Sequence, residues 1–209
     1  MNKVTEYTKF RLSFNFKCEP VEEINSCLYF RGELIQDETK KYAEGSTFIN
    51  IGYNFKYSLA RALSNLYPIE FKFRGKKVSS IEGVLQGIKY KDKKTQNLIL
   101  KYSGLDAYHT RSANTANFWG NNGLLYWQGK PIDRHSQEYQ NFLDELYTSA
   151  LQNPIYKSAL LATDGKYLLH HIGNTNPKET VLTREEYEQR LNSLREFVKM
   201  QEQTKNNRK

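Results

Sequence analysis

The sequence predicts an α+β fold, helix-rich around a short antiparallel β layer, on two observations. The first fifty-odd residues carry short strand-like runs punctuated by glycines, whereas from Ser79 onward apolar residues recur mostly at helical spacing. At 209 residues the chain has room for one well-buried domain with additions at both ends.

In chain order, Phe10, Leu12, Phe14 and Phe16 alternate with Arg11, Ser13, Asn15 and Lys17, the period-two pattern of a half-buried strand over 10–17. Residues 28–34 and 47–51 read as further short strands, with Gly32 marking a bulge and Gly45 and Gly52 marking turns. Ile69, Phe71 and Phe73 alternate up to the turn Arg74-Gly75-Lys76-Lys77, after which Ser79 reads as a helix N-cap. Between 103 and 129 lies a long segment rich in glycine and asparagine that embeds Phe118, Trp119, Tyr126 and Trp127, and long aromatic loops are often functional.

The clearest helix covers 137–151, where Tyr139, Phe142, Leu143, Leu146, Tyr147 and Ala150 repeat at helical spacing before Asn153-Pro154 ends it. Pro154 suits the first turn of a shorter helix through Leu160 and Leu161. Asp164-Gly165 is a turn and 166–172 a short strand. Thr183 and Glu186 have the spacing of a capping box for a last helix with the stripe Tyr187, Leu191, Leu194 and Val198.

A net charge of +8 and a pI of about 9.3 favour an anionic partner such as nucleic acid, a nucleotide or a phosphorylated sugar. Part of the excess comes from Lys199, Lys205, Arg208 and Lys209, expected on or beyond the last helix. No run approaches the ~20 apolar residues of a membrane helix, and no apolar signal core follows the N-terminus, so a soluble cytoplasmic protein with no membrane partner is expected. Cys18 and Cys27 are too far apart for a zinc pair and fit a reducing compartment; His109, His135, His170 and His171 show no metal spacing. Neither a metal nor a cofactor is expected. His170 and His171, being adjacent, should face opposite sides of their strand.

On the helix after Ser79, Glu82, Gln86 and Lys89 stand at i, i+4 and i+7, so a carboxylate, an amide and an amine share one face beside the apolar Ile81, Val84, Leu85 and Ile88. The same residues also fit a capping box with Glu82 at the positive helix start and Lys89 near its end. Gly83 and Gly87 each disfavour a helix interior by about 1 kcal/mol relative to alanine, which allows either close approach of a ligand or tight helix packing.

Ser64-Asn65-Leu66-Tyr67-Pro68, Gly75-Lys76 and Ser80-Ile81-Glu82 with Gln86 and Lys89 resemble the opening block of the NADAR (YbiA-like) N-glycosidase family. A second block, Gln152-Asn153-Pro154 and Leu160-Leu161-Ala162-Thr163, resembles its helix ending in Asn-Pro and its Leu-Leu-x-Thr-Gly turn. The resemblance runs from about Ala62 to Ile172. Gly83 stands where the family has histidine, and its Trp-Gly and Asn-x-Leu-Gly elements are not recognisable in 173–181. The implied organisation is a β-rich N-terminal extension at 1–55, a NADAR-like domain at 56–198 and a basic, disordered tail at 199–209.

The resemblance implies metal-independent hydrolysis of an N-glycosidic bond in an anionic, nucleotide-like substrate. That substrate is either a phosphoribosylated pyrimidine of the riboflavin pathway or a nucleobase carrying ribose or ADP-ribose. Glu82 is then the catalytic carboxylate, by analogy with glycoside hydrolysis, and Lys89 either a Schiff-base nucleophile or a phosphate-neutralising cation. Asn65 and Gln86, with Ser64, line the ribose and base; Arg61 or Lys76 meets phosphate; Tyr67, Trp119 and Trp127 stack on the base. Two other readings are a non-catalytic ADP-ribose or nucleotide-binding module and a basic protein that binds single-stranded nucleic acid.

Overall fold

A computed structural model describes residues 2–110 and 123–207 of the chain, and it opens on a helix where the alternation at 10–17 predicts a strand. This helix, α1 (Lys3–Ser13), is capped by Asn2, whose Oδ1 accepts from the Val4 N–H at 3.1 Å. Folding uses the three- and four-residue steps Tyr7, Phe10 and Phe14 instead of the two-residue ones. The rings of Tyr7 and Phe10 lie 5.5 and 5.6 Å from that of Phe197, while Leu12, which a strand would bury, is 63% exposed.

The next elements are β1 (Glu22–Ile24), β2 (Cys27–Phe30), β3 (Glu33–Gln36), β4 (Phe48–Asn50), α2 (Ser58–Ala62), β5 (Phe71–Phe73), β6 (Lys76–Val78), α3 (Ile81–Gly87) and α4 (Lys93–Ile99). They are followed by α5 (Gly104–His109), β7 (Leu124–Trp127), β8 (Lys130–Asp133), α6 (Gln137–Ala150), α7 (Pro154–Ala162), β9 (Tyr167–Leu169) and α8 (Arg184–Asn206). Helices and small sheets make the mixed α+β fold that the sequence predicts. The chain divides into two units: Met1–Ser64, Lys157–Gly173 and Arg184–Lys209 form the first, Asn65–Tyr156 and Asn174–Thr183 the second.

The first unit joins the segment expected as an extension to the C-terminal helix. β1, β2 and β3 form an antiparallel sheet in that order. Residues 28–34, expected as one strand with a bulge at Gly32, are a hairpin instead: Arg31 and Gly32 have φ of +51° and +76° and make its two-residue turn. The bulge lies between Leu28 and Tyr29. β4 leaves this layer and pairs in parallel with β9, Phe48 opposite Tyr167. Phe30, Ile35, Phe48, Tyr167 and Leu169 form the buried cluster between them, and Phe16, Val21 and Leu28 pack against it.

Helix α8 begins directly after Thr183 and buries the predicted stripe of Tyr187, Leu191, Leu194 and Val198. It stays helical to Asn206, so 199–206, expected as a disordered tail, are ordered helix. Tyr7 Oη anchors α1 to α8, donating to the Arg190 carbonyl at 3.1 Å and lying 3.0 Å from Ser193 Oγ.

On the same helix the carboxylate of the fully buried Glu188 accepts four hydrogen bonds. Its Oε1 accepts from Arg184 Nε at 2.7 Å and the His170 N–H at 2.8 Å, and its Oε2 accepts from Tyr167 Oη at 2.8 Å and Cys18 Sγ at 3.0 Å. A buried carboxylate persists where donors and a cation surround it in this way.

Burial, then the bond to Glu188, pushes the Cys18 thiol up to about 12 from its ordinary 9.0. The folded protein therefore holds this proton more tightly than the unfolded chain does. The resulting stability is complete below pH 9 and is lost as pH rises toward 12. Because the thiolate is the nucleophile, iodoacetamide at pH 8 is expected to alkylate Cys18 at least ~100-fold more slowly in native protein than in urea. Equal rates by peptide mass spectrometry would refute the thiol–carboxylate bond.

The two histidines lie just past β9 instead of within it. His170 Nδ1 sits 2.9 Å from the Ile51 carbonyl and its ring meets Tyr187 edge-on, while His171 Nδ1 lies 3.0 Å from Asn50 Oδ1 and its Nε2 3.0 Å from Gln36 Oε1. Burial lowers both, His171 to about 4.

In the second unit, Arg74 and Gly75, with φ of +46° and +78°, turn β5 back onto β6, and Phe73 presents its ring edge-on to Phe142 of α6 at 5.0 Å. The segment 103–129, expected as a long loop, contains α5 and the strand β7, which pairs with β8. Gly104 is required at the start of α5, because a Cβ there would lie 2.2 Å from the Leu66 carbonyl oxygen. Phe118 and Trp119 lie outside the described residues.

Candidate functional site

Helix α3 starts one residue later than predicted, and the shift decides what Glu82 can do. Ser80, in extended conformation, is the N-cap, and its Oγ accepts from the Gly83 N–H at 2.9 Å. Glu82 is then the second helical residue, and the third, where a capping box needs its acid, is Gly83. The expected capping box does not form, and Glu82 turns into the protein.

Gln86 and Lys89 meet it there. Gln86 Nε2 donates to Glu82 Oε1 at 2.6 Å, and Lys89 Nζ donates to Gln86 Oε1 at 2.8 Å. All three are buried, at 9, 5 and 7% exposure. The amide thus bridges an anionic and a cationic group, two strong hydrogen bonds that fix both in a setting with little water.

The Ser64-to-Pro68 block meets the start of α3 through the Asn65 carbonyl, which accepts from the Glu82 N–H at 3.0 Å. Asn65 Oδ1, expected to contact ribose, accepts from Tyr147 Oη of α6 at 2.9 Å. This arrangement locks the turn that carries Glu82.

The helix glycines serve packing. A Cβ on Gly83 would come within 3.2 Å of the Ile99 carbonyl, and one on Gly87 within 3.5 Å of Gln96 Cγ, so both seat α3 against α4. A histidine in place of Gly83, as in the NADAR pattern, would press on that carbonyl.

The other candidates are placed less closely. Tyr67 is half-buried. Trp127 is a core residue and not a stacking platform, because its ring meets Phe73 and Phe142 edge-on at 5.0 and 5.7 Å. Trp119 lies outside the described residues. Arg61 and Ser64 belong to the first unit, where the exposed Arg61 guanidinium stacks over Tyr53 at 4.9 Å and the buried Ser64 donates its N–H to the Arg61 carbonyl. Lys76 is half-buried on β6. Sequence reasoning passed over Gln96, a fully buried glutamine whose one signal is that it shares a helical face with Ile99 and Leu100.

Among known proteins, residues 57–196 match the family described as Bacteriophage protein GP30.3. The chain belongs to this family. A relative from Enterobacteria phage T4, described as "Uncharacterized 17.1 kDa protein in Gp30-rIII intergenic region", is 35% identical over 153 residues. That match covers 72% of this chain and 98% of the relative. The GP30.3-family fold is YbiA-like: the NMR structure of the E. coli protein YbiA matches with a TM-score of 0.50 at 19% identity, covering 76% of this chain and 89% of that one. The expected NADAR-type architecture is therefore borne out at the level of fold. No helix among the described residues is long and apolar enough to cross a membrane, and no group of three or more His, Cys, Asp or Glu among them could hold a metal ion.

Proposed function

We propose that this GP30.3-family protein is an N-glycosidase that cleaves the bond between ribose C1 and a base nitrogen in an anionic, ribosylated or ADP-ribosylated substrate. The observation that carries the reading is the buried Glu82–Gln86–Lys89 chain. As the C1–N bond breaks, its electron pair leaves with the base, which takes up a proton, and positive charge develops on the ribose. A fixed carboxylate in a dry site stabilises that charge and accepts the proton of the water that adds to C1. The net charge of +8 favours approach of a phosphate-bearing substrate.

Lys89 gives the site a second route. Its amine attacks C1, the base leaves, and the ring-opened sugar stays as a Schiff base until water releases it. Mass spectrometry of ribosylated and ADP-ribosylated nucleosides, before and after incubation, tests the reaction; an unchanged substrate set would overturn it. Borohydride added during turnover is expected to trap a sugar adduct on Lys89 in wild type and none in Lys89→Arg, which keeps the charge but cannot form the imine. Turnover without an adduct, with Lys89→Arg still active, would assign Lys89 to phosphate neutralisation alone.

A further inference from the structure

We propose that Gln96 is a positioning residue that holds Lys89 against Gln86, an inference that rests on the N-glycosidase reading of α3. Helix α3 ends at Gly87, and the carbonyls of its last turn need partners from outside the helix. Many helices find them through a following glycine in left-handed conformation. Here the Tyr90 N–H reaches the Gly87 carbonyl at 3.0 Å, and a side chain from α4 supplies a second donor.

Gln96 is completely buried. Its Nε2 donates to the Gly87 carbonyl at 3.0 Å and the Tyr126 carbonyl at 2.8 Å, with the Tyr90 carbonyl at 3.3 Å. Its Oε1 accepts from both the backbone N–H and Nε2 of Gln128, each at 2.8 Å. The Tyr126 N–H donates to the Ile88 carbonyl at 2.7 Å. The carbonyls of residues 87, 88 and 90, on both sides of Lys89, are therefore held by α4 and β7.

Gln128 ties the contact to a second element. With Gly129 it makes the two-residue turn of the β7–β8 hairpin, at φ of +50° and +83°, and its side chain spans Gln96 Oε1 and Asn97 Oδ1. With its backbone fixed on either side, Lys89 is held where its Nζ reaches Gln86 Oε1 at 2.8 Å. A misplacement of the order of 1 Å at such a group can cost ~100-fold in rate.

The test compares wild type, Gln96→Met, which keeps length and removes every hydrogen bond of the amide, and Gln128→Ala, which removes only the side-chain support on a half-exposed hairpin turn. Lysines are methylated with formaldehyde and cyanoborohydride from pH 6 to 10, a range of about four units spanning ordinary amine titration, and Lys89 is read by peptide mass spectrometry against the exposed Lys72. Gln96→Met is expected to change the Lys89-to-Lys72 rate ratio about tenfold, and Gln128→Ala to change it in the same direction by less. Turnover should fall in kcat with KM held. A bare helix cap would lower the melting temperature and leave that ratio unmoved, and an unmoved ratio in both variants overturns the proposal. Should Gln96→Met not fold, Gln128→Ala decides by the same ratio. Absence of turnover in wild type would defeat the N-glycosidase reading, while the methylation ratio would still report whether Gln96 positions Lys89.

Discussion

Glu82→Gln is expected to reduce N-glycosidase turnover by about 10²–10⁴-fold, the range for loss of a positioned acid–base group, while the melting temperature stays within a few degrees of wild type. The substitution preserves shape and leaves an oxygen able to accept from Gln86 Nε2, so packing around α3 persists and the charge alone disappears. Since Ser80 rather than Glu82 caps the helix, no capping bond is lost. Turnover and thermal melting on the same sample separate the two roles, and full activity in Glu82→Gln would remove the glutamate from the mechanism. Wild type and variant that both bind ADP-ribose and turn over nothing would point to a binding module. A steep salt dependence with single-stranded DNA and indifference to ADP-ribose would favour nucleic-acid binding.

Glu188→Ala is expected to destabilise the protein by about 3–5 kcal/mol, the cost of breaking a buried ion pair from one side. Arg184 would be left with its charge beneath the surface, and Tyr167, Cys18 and the His170 N–H would lose their common acceptor. Urea unfolding followed by tryptophan fluorescence measures it. A loss below about 1 kcal/mol, the range of an exposed pair, would mean that water reaches the carboxylate. Replacing Arg184 and Glu188 together with apolar residues should recover part of the loss.

The sequence discloses some of this better than the rest. Helices α6 and α8 were legible because long apolar stripes admit only one period. Residues 10–17 were not, since Phe10 and Phe14 satisfy steps of two and of four alike, and the contact of Phe10 with Phe197, on a helix that ends at Ser13, lies outside what local spacing contains. Strand β4 was legible as a strand, but its parallel partner β9 was not, because three residues carry no information about a mate so distant in sequence.

The spacing of Glu82, Gln86 and Lys89 predicted a shared face. That the amide would bridge the two charges depends on burial, which spacing does not contain. Trp127 illustrates the reverse: an aromatic in a glycine-rich stretch reads as a binding platform until Phe73 and Phe142 are found against it.

The parallel pairing of β4 with β9 also sets a timetable for synthesis. Ile51 must wait for His170, 119 residues further along the chain, before the end of that pairing can close. At ~5–20 residues per second the delay is roughly 6–24 s. During it the stretch Asn65–Tyr156 of the second unit emerges whole and can begin folding, while β4 keeps one edge open and Phe48 meets Phe30 but not yet Tyr167. The newborn N-terminal quarter thus carries an unpaired strand edge for as long as that delay lasts.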